Sequence, residues 1–222
     1  MAKQLFIGLA AEGSTDLLFL KSVVQRTFRQ ILFDQSDSIV DVEVFELKGD
    51  KIGKTFKEFV ASTSKEGVEK YGILVLAVHS DSDKETLEER MQDKFIPAIN
   101  YLNEQDEDTF CKVLTPIIPI RMIEAWMLAD TSLLKEQIGT TLTDRELGLY
   151  RAPESIADPK RVIIDAIAKA EERKPKKSRG LSIGDLYGII GDKISLDSLR
   201  TLSSYNAFYS FAENSLRTIR YV

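Results

Sequence analysis

Ile73-Leu74-Val75-Leu76-Ala77-Val78-His79-Ser80-Asp81-Ser82-Asp83 decides the fold. An unbroken, β-branched-rich apolar run suits a strand buried on both faces, as in a parallel sheet with helices above and below. It ends in two carboxylates one residue apart, at the edge where open α/β sheets place their ligands.

The segments on either side repeat the pattern. Gln4 to Ala11 is an apolar strand broken by Glu12-Gly13. A helix then runs from Ser14 or Thr15 as N-cap to about Phe33, with Leu17, Leu18, Leu20, Val24, Phe28 and Ile31 available for burial. Ile39 to Leu47 alternates Val40, Val42 and Val44 with Asp41 and Glu43, as expected of a strand near the sheet edge with one wetter face. Thr55 and Glu58 form a capping box for a helix to about Lys70. Beyond the central strand, Ser82 and Glu85 form a second box for a long helix from Lys84 to Asn103, and Phe110 to Ile120 reads as a fourth strand. Successive strand, helix, strand crossovers predict an α/β protein with a mainly parallel, Rossmann-like sheet of about four strands over residues 1–130.

Residues 131–222 form a helical C-terminal extension. Its signals are Leu133 to Ile138, an N-cap at Thr143 with Glu146 behind it, helix starts at Pro153 and Pro159, an amphipathic helix from Pro159 to Glu172, and a last helix from about Ser203 to Arg220. Phe208, Phe211, Leu216 and Ile219 can face a core. With no hydrophobic centre of its own, this extension is expected to pack on the sheet as one structural unit.

The net charge is −5, so a global basic field for nucleic acid is absent. Residues 1–157 hold 18 Lys/Arg against 27 Asp/Glu, a balance of −9, whereas 158–222 hold 12 against 8, a balance of +4. Arg173 to Gly180 is a basic, helix-breaking loop that could lie along a nucleic-acid backbone or be a solvated surface. A single cysteine, Cys111, excludes an internal disulfide and fits a reducing compartment. The apolar run Leu5 to Ala11 is too short for a signal peptide, and nothing approaches a membrane span, so a cytoplasmic protein is expected.

Three stretches carry candidate chemistry. In Glu12-Gly13-Ser14-Thr15-Asp16, Gly13 permits the backbone reversal after the first strand and leaves Glu12 pointing out of the sheet, while Asp16 in the first helical turn is explained by capping. Asp81-Ser82-Asp83 offers hard oxygen donors for a divalent cation such as Mg²⁺ or Mn²⁺. Adjacent parallel strands would bring Glu12 beside Asp81, and converging carboxylates would repel one another unless a cation bound. Glu124 falls in the first helical turn after the fourth strand, near the same edge, and is a further candidate metal ligand. His79, the sole histidine, is expected as a packed neutral imidazole or a hydrogen-bond partner behind the acids; without Cys or a second His a zinc site is not indicated. Gly49 to Thr55 is one residue short of a P-loop, and Asp81 to Thr86 fits neither a haloacid-dehalogenase start nor an EF-hand.

Glu-Gly-x-Thr-Asp after strand one, Asp-x-Asp after strand three and Glu124-Ala125-Trp126-Met127-Leu128-Ala129-Asp130 after strand four resemble a Toprim-like family of bacterial proteins akin to the nuclease domain of OLD (overcoming lysogenization defect) enzymes. Pro153-Glu154 and Asp158-Pro159-Lys160 fit the same pattern, so the resemblance spans most of the chain. It implies that Glu12, Asp81 and Asp83 are catalytic, metal-binding acids, that Asp16 is an additional acid, and that a basic residue assists, with Lys160 the first choice and Lys176 the second. It further implies Mg²⁺- or Mn²⁺-dependent hydrolysis of a nucleic-acid phosphodiester, DNA favoured over RNA, and an ABC-type ATPase partner in anti-phage defence. The alternative expectation is a non-catalytic Toprim scaffold that binds an ATPase or a nucleotide.

Overall fold

The computed structural model describes residues 3–49, 54–175 and 180–222. Residues 50–53 of the P-loop-like stretch and 176–179 of the basic loop, Lys176 among them, lie outside the described residues. The chain order is β1 (Lys3–Ala10), α1 (Ser14–Gln35), β2 (Val40–Glu46), α2 (Phe56–Tyr71), β3 (Val75–His79), α3 (Leu87–Arg90), a π-helical turn (Met91–Phe95), α4 (Ile96–Asn103) and β4 (Leu114–Ile117). Shorter helices follow: α5 (Glu124–Met127), α6 (Thr131–Ile138), α7 (Asp144–Leu147), a 3₁₀ turn (Pro153–Ser155), α8 (Pro159–Glu172), α9 (Leu186–Lys193), α10 (Leu196–Leu199) and α11 (Ser203–Thr218).

The four strands form one sheet in the order β2-β1-β3-β4, and every pairing is parallel. The expected α/β architecture with a helical C-terminal region is therefore present. Period-two alternation divides the sheet side chains between two layers. Leu5, Ile7, Leu9, Val42, Val44, Val75, Ala77 and Ile117 join α1 and the C-terminal helices in one core, while Ala10, Leu76 and Val78 join α2 and α4 in the other. β3, lined on both sides, is buried at all five positions.

The C-terminal helices extend the α1 layer, so their apolar residues complete the first core. Gly191 of α9 lies so close to α1 that an added Cβ would fall 2.5 Å from the Phe19 carbonyl oxygen. Arg26 of α1 donates to the carbonyls of Gly191 and Ile194 at 2.7 and 2.6 Å, closing the end of α9. Gln25 and Arg29, also from α1, donate to the Val42 carbonyl on the outer side of β2 at 2.7 and 3.1 Å. Side chains thus cover part of a sheet edge that would otherwise offer itself for pairing.

Several elements differ from expectation for identifiable reasons. The α1 stripe is Phe19, Leu20, Val23, Val24, Thr27, Phe28, Ile31 and Leu32; Leu18 lies off it and is 51% exposed. α1 is capped at Gly13, whose N–H donates to Asp16 Oδ2 at 3.1 Å, and not at Ser14 or Thr15. β4 is shorter than Phe110 to Ile120, because Phe110 closes a turn onto the Asp106 carbonyl and Lys112 reaches back to the carbonyls of Leu102 and Gln105. The helix expected from Lys84 begins at Leu87, with Thr86 and Glu89 as its capping box. Ser82 is diverted from capping: its hydroxyl accepts the Arg121 N–H at 2.9 Å and its carbonyl accepts from Arg90. Among the described residues no helix is long and apolar enough to cross a membrane.

Glu154 of the 3₁₀ turn holds α11 in place. Its carboxylate accepts from the backbone and hydroxyl of both Ser203 and Ser204, at 2.6 to 2.9 Å, and Ser204 Oγ accepts the Trp126 indole N–H at 2.8 Å. Burial pushes the Glu154 carboxyl up, but these donors outweigh it and hold the group below its ordinary value of 4.5. Replacing Glu154 by Ala removes a helix cap and leaves buried donors unpaired, so denaturant unfolding is expected to show a loss of about 1–2 kcal/mol. Because the folded-state pKa is depressed, the contribution is present above the ordinary carboxylate range and fades as pH falls through the folded value. Glu154→Gln should flatten that acid limb of the stability profile.

Candidate functional site

β1 crosses over to β2 on one side while β3 lies on the other, so the crevice beyond the carboxyl ends of β1 and β3 is a topological switch point, where α/β sheets bind ligands. Ala10 pairs with Val78, and the register carried two residues further sets Glu12 opposite Ser80. Ser80 Oγ donates to Glu12 Oε1 at 2.8 Å. Lys94, from the π turn, donates to the same oxygen at 2.8 Å and to Ser80 Oγ at 3.0 Å. Burial tends to raise the Glu12 carboxyl, but the bonds from Lys94 and Ser80 and the charges of Lys94 and His79 keep it below the ordinary carboxylate range.

His79 is fully buried between two acids. Its Nε2 is 3.0 Å from Asp81 Oδ1, and its Nδ1 is 3.5 Å from Asp16 Oδ2, beyond hydrogen-bond geometry, so Nδ1 has no hydrogen-bond partner among the described residues. Burial alone would lower the imidazole pKa, but the hydrogen bond to Asp81 and the charges of Asp81, Asp16 and Glu12 raise it above the ordinary 6.5. Of the two roles expected for His79, the structure shows the hydrogen-bond partner behind the acids, with an environment that favours its proton. Asp81 Oδ1 also accepts the Ile123 N–H at 3.1 Å, which ties the strand end to the start of α5, while Asp81 Oδ2 accepts no hydrogen bond among the described residues. Asp16 caps Gly13, as expected, and the same carboxylate also approaches His79.

Glu124, the first residue of α5, is 3% exposed. Its Oε1 accepts from the Tyr187 hydroxyl of α9 and lies 3.4 Å from Lys160 Nζ of α8. Tyr187 is pushed above the ordinary phenol range by burial, by its bond to Glu124, and by the charges of Asp16 and Asp81. Glu124, Asp16 and Asp81 therefore act on one buried phenol. The C-terminal helices deliver both Tyr187 and Lys160 to the sheet edge.

Asp83 is placed differently. It adopts a left-handed backbone, φ 54°, its side chain is 69% exposed, and Oδ2 lies 3.1 Å from Arg90 Nη2. Arg90 is buried and also donates to the Ser82 carbonyl at 3.0 Å, with its Nε 3.0 Å from Glu85 Oε2. Asp83 faces a second left-handed residue, Arg121 (φ 67°), through an N–H to carbonyl bond of 2.9 Å, and Arg121 Nη1 donates to the Asp83 carbonyl at 3.1 Å. Two non-glycine left-handed residues in contact mark stored backbone strain beside the site. Asp83 makes none of the contacts that join Asp81 to Asp16 and His79.

Lys94, Arg90 and Tyr187 were not legible as site residues. Pro97 carried a signal for the first: it lacks the N–H that a regular helix would donate to residue 93, and the ladder there loosens to a π turn closed by Ile96 N–H on the Met91 carbonyl. The cations Lys94, Lys160 and Arg90 bring positive charge to these acids from other elements of the fold. In the basic loop, Arg173 pairs with Glu146 at 3.3 Å, and Lys174 pairs with Glu171 at 3.0 Å and the Ile138 carbonyl at 2.7 Å, so these two anchor the chain.

The donor set suits a hard cation, since Glu12 and Asp81 offer carboxylate oxygens at the switch point. Among the described residues no group of three or more His, Cys, Asp or Glu side chains is gathered to hold a metal ion. Mg²⁺ commonly takes only one or two carboxylates and keeps several waters, so such a pair is sufficient in kind. Compared with known family models, with curated proteins and with solved structures, the chain has no significant match.

Because His79 is the sole histidine, its imidazole NMR signals report on the site alone. They are expected to titrate above 6.5, and in Asp81→Asn the midpoint should fall. The stabilisation from this raised pKa is present below the unfolded value and disappears as pH rises through the folded one.

Proposed function

We propose that this protein is a divalent-metal-dependent phosphodiester hydrolase acting on nucleic acid, DNA in preference to RNA, as its Toprim-like resemblance implies. The observation that supports the reading is the delivery of Glu12 and Asp81 by adjacent parallel strands to the switch-point crevice, with Asp16 and Glu124 in the same electrostatic field. A bound Mg²⁺ or Mn²⁺ would supply Lewis-acid polarisation of a phosphoryl oxygen and an activated water. Glu12 and Asp81 would hold it. His79 and the Ile123 N–H fix Asp81 Oδ1 and leave Oδ2 for the cation, a support that typically tunes ligand strength. Lys160, half exposed beside Glu124, is the cation on hand for a substrate phosphate. An ABC-type ATPase partner and a cytoplasmic role in anti-phage defence belong to the same proposal.

A second reading, a non-catalytic scaffold that binds an ATPase or nucleotide, is favoured by one observation: each acid already has a cationic or hydrogen-bonding partner within the chain. Plasmid nicking separates the two. The wild type is expected to nick with Mg²⁺ or Mn²⁺ and to stop with EDTA, and Glu12→Gln or Asp81→Asn should each lower the rate by about 100-fold or more, beyond the loss typical of residues that only support a ligand. Asp83→Asn, at a side chain engaged by Arg90, should be milder. Absence of metal-dependent nicking, alone and with an ATPase partner, would favour the scaffold.

A further inference from the structure

Lys94 touches the switch-point acid Glu12 directly. It contacts two oxygens that a hard metal ion would also seek: Glu12 Oε1 at 2.8 Å and Ser80 Oγ at 3.0 Å. Its side chain is 27% exposed, and its ammonium lies 5.3 Å from the centroid of the Phe56 ring, which packs edge-on against Phe95 at 5.1 Å. The position is built, because Lys94 sits within the π turn that Ile96 N–H closes on the Met91 carbonyl. Such a turn inserts a residue relative to a regular helix and redirects the side chains around it.

Building on the metal-site reading above, we infer that Lys94 is a resident competitor for the divalent cation, whose ammonium occupies the Glu12–Ser80 oxygens until the metal displaces it, so that this residue sets the affinity of the site. An ammonium is a compact charge on a flexible stem, and a doubly charged cation at the same oxygens interacts more strongly with them. The stem can pivot while the π turn keeps its Cα at the crevice. The displaced ammonium then remains beside the site, where an anionic phosphate would find it. Lys94 is thereby assigned an exchange between two partners, carboxylate in the resting protein and phosphate in the loaded one.

Mn²⁺ titrations followed by electron paramagnetic resonance test this without relying on turnover. Lys94→Met keeps most of the aliphatic stem against Phe56 and removes the charge; it is expected to bind Mn²⁺ about tenfold or more tightly than the wild type, and Glu12→Gln in the same background should abolish the gain. Equal or weaker binding by Lys94→Met, with wild-type binding still lost in Glu12→Gln, would overturn the role of Lys94 and leave the metal site standing. No Glu12-dependent binding in either protein would remove the metal site and the competition together. A second measurement uses the intact chain in case the variant does not fold. The Lys94 side-chain ¹⁵N signal, assigned with Lys94→Arg, should move from a hydrogen-bonded to a solvated position as Mg²⁺ is added, and a signal that stays fixed while the Ser80 amide responds to Mg²⁺ would refute displacement.

Discussion

The parallel ladder between β1 and β3 is the constraint on which the rest of the molecule depends. Neighbouring strands run about 4.8 Å apart, so a register that pairs Ala10 with Val78 leaves Glu12 and the end of β3 no choice but to share one crevice. Acids gathered in a part-buried crevice repel one another unless positive charge is supplied. Much of the structure beyond the sheet supplies it. The π turn brings Lys94 and α8 brings Lys160, while β3 itself contributes His79 as a hydrogen-bond partner of Asp81.

His79 shows how the balance is struck. Burial of an imidazole disfavours its proton, yet one hydrogen bond and three nearby carboxylates favour it, and the second effect prevails. Asp16 and Asp81 act on Tyr187 in the same sense, because a phenolate among carboxylates would add to the repulsion. One field therefore favours the protonated form of both groups, and Tyr187 donates to Glu124. Around this network the backbone is strained at Asp83 and Arg121 and anchored by the buried Arg90, an arrangement expected where loops are held for a purpose.

Local chemistry was legible where it is short in range. The four strands, the Thr55–Glu58 and Thr143–Glu146 capping boxes, and the extent of the Pro159–Glu172 helix all follow from neighbours within a few residues. Expectation failed where a distant partner intervened. Ser82 looked like an N-cap, but the Arg121 N–H claims its hydroxyl, and that N–H comes from a loop 39 residues away. The final strand looked long because its residues are apolar, yet Lys112 ties its first part to the end of α4. Leu18 looked like core because it is leucine, although it lies off the stripe that faces the sheet.

By itself the sequence determined the α/β class, the parallel crossovers and the placing of Glu12, Asp16, Asp81 and Glu124 near the ends of strands or the starts of helices, because apolar periodicity and turn residues act locally. Only the tertiary structure decided which acids meet and what neutralises them. Asp81 turns to His79 and the Ile123 N–H, whereas Asp83, two residues on, turns to Arg90. Lys94 reaches Glu12 across 82 residues, and Tyr187 reaches Glu124 across 63. Electrostatic pairing depends on distance through space, and that distance is set by the packing of helices on the sheet.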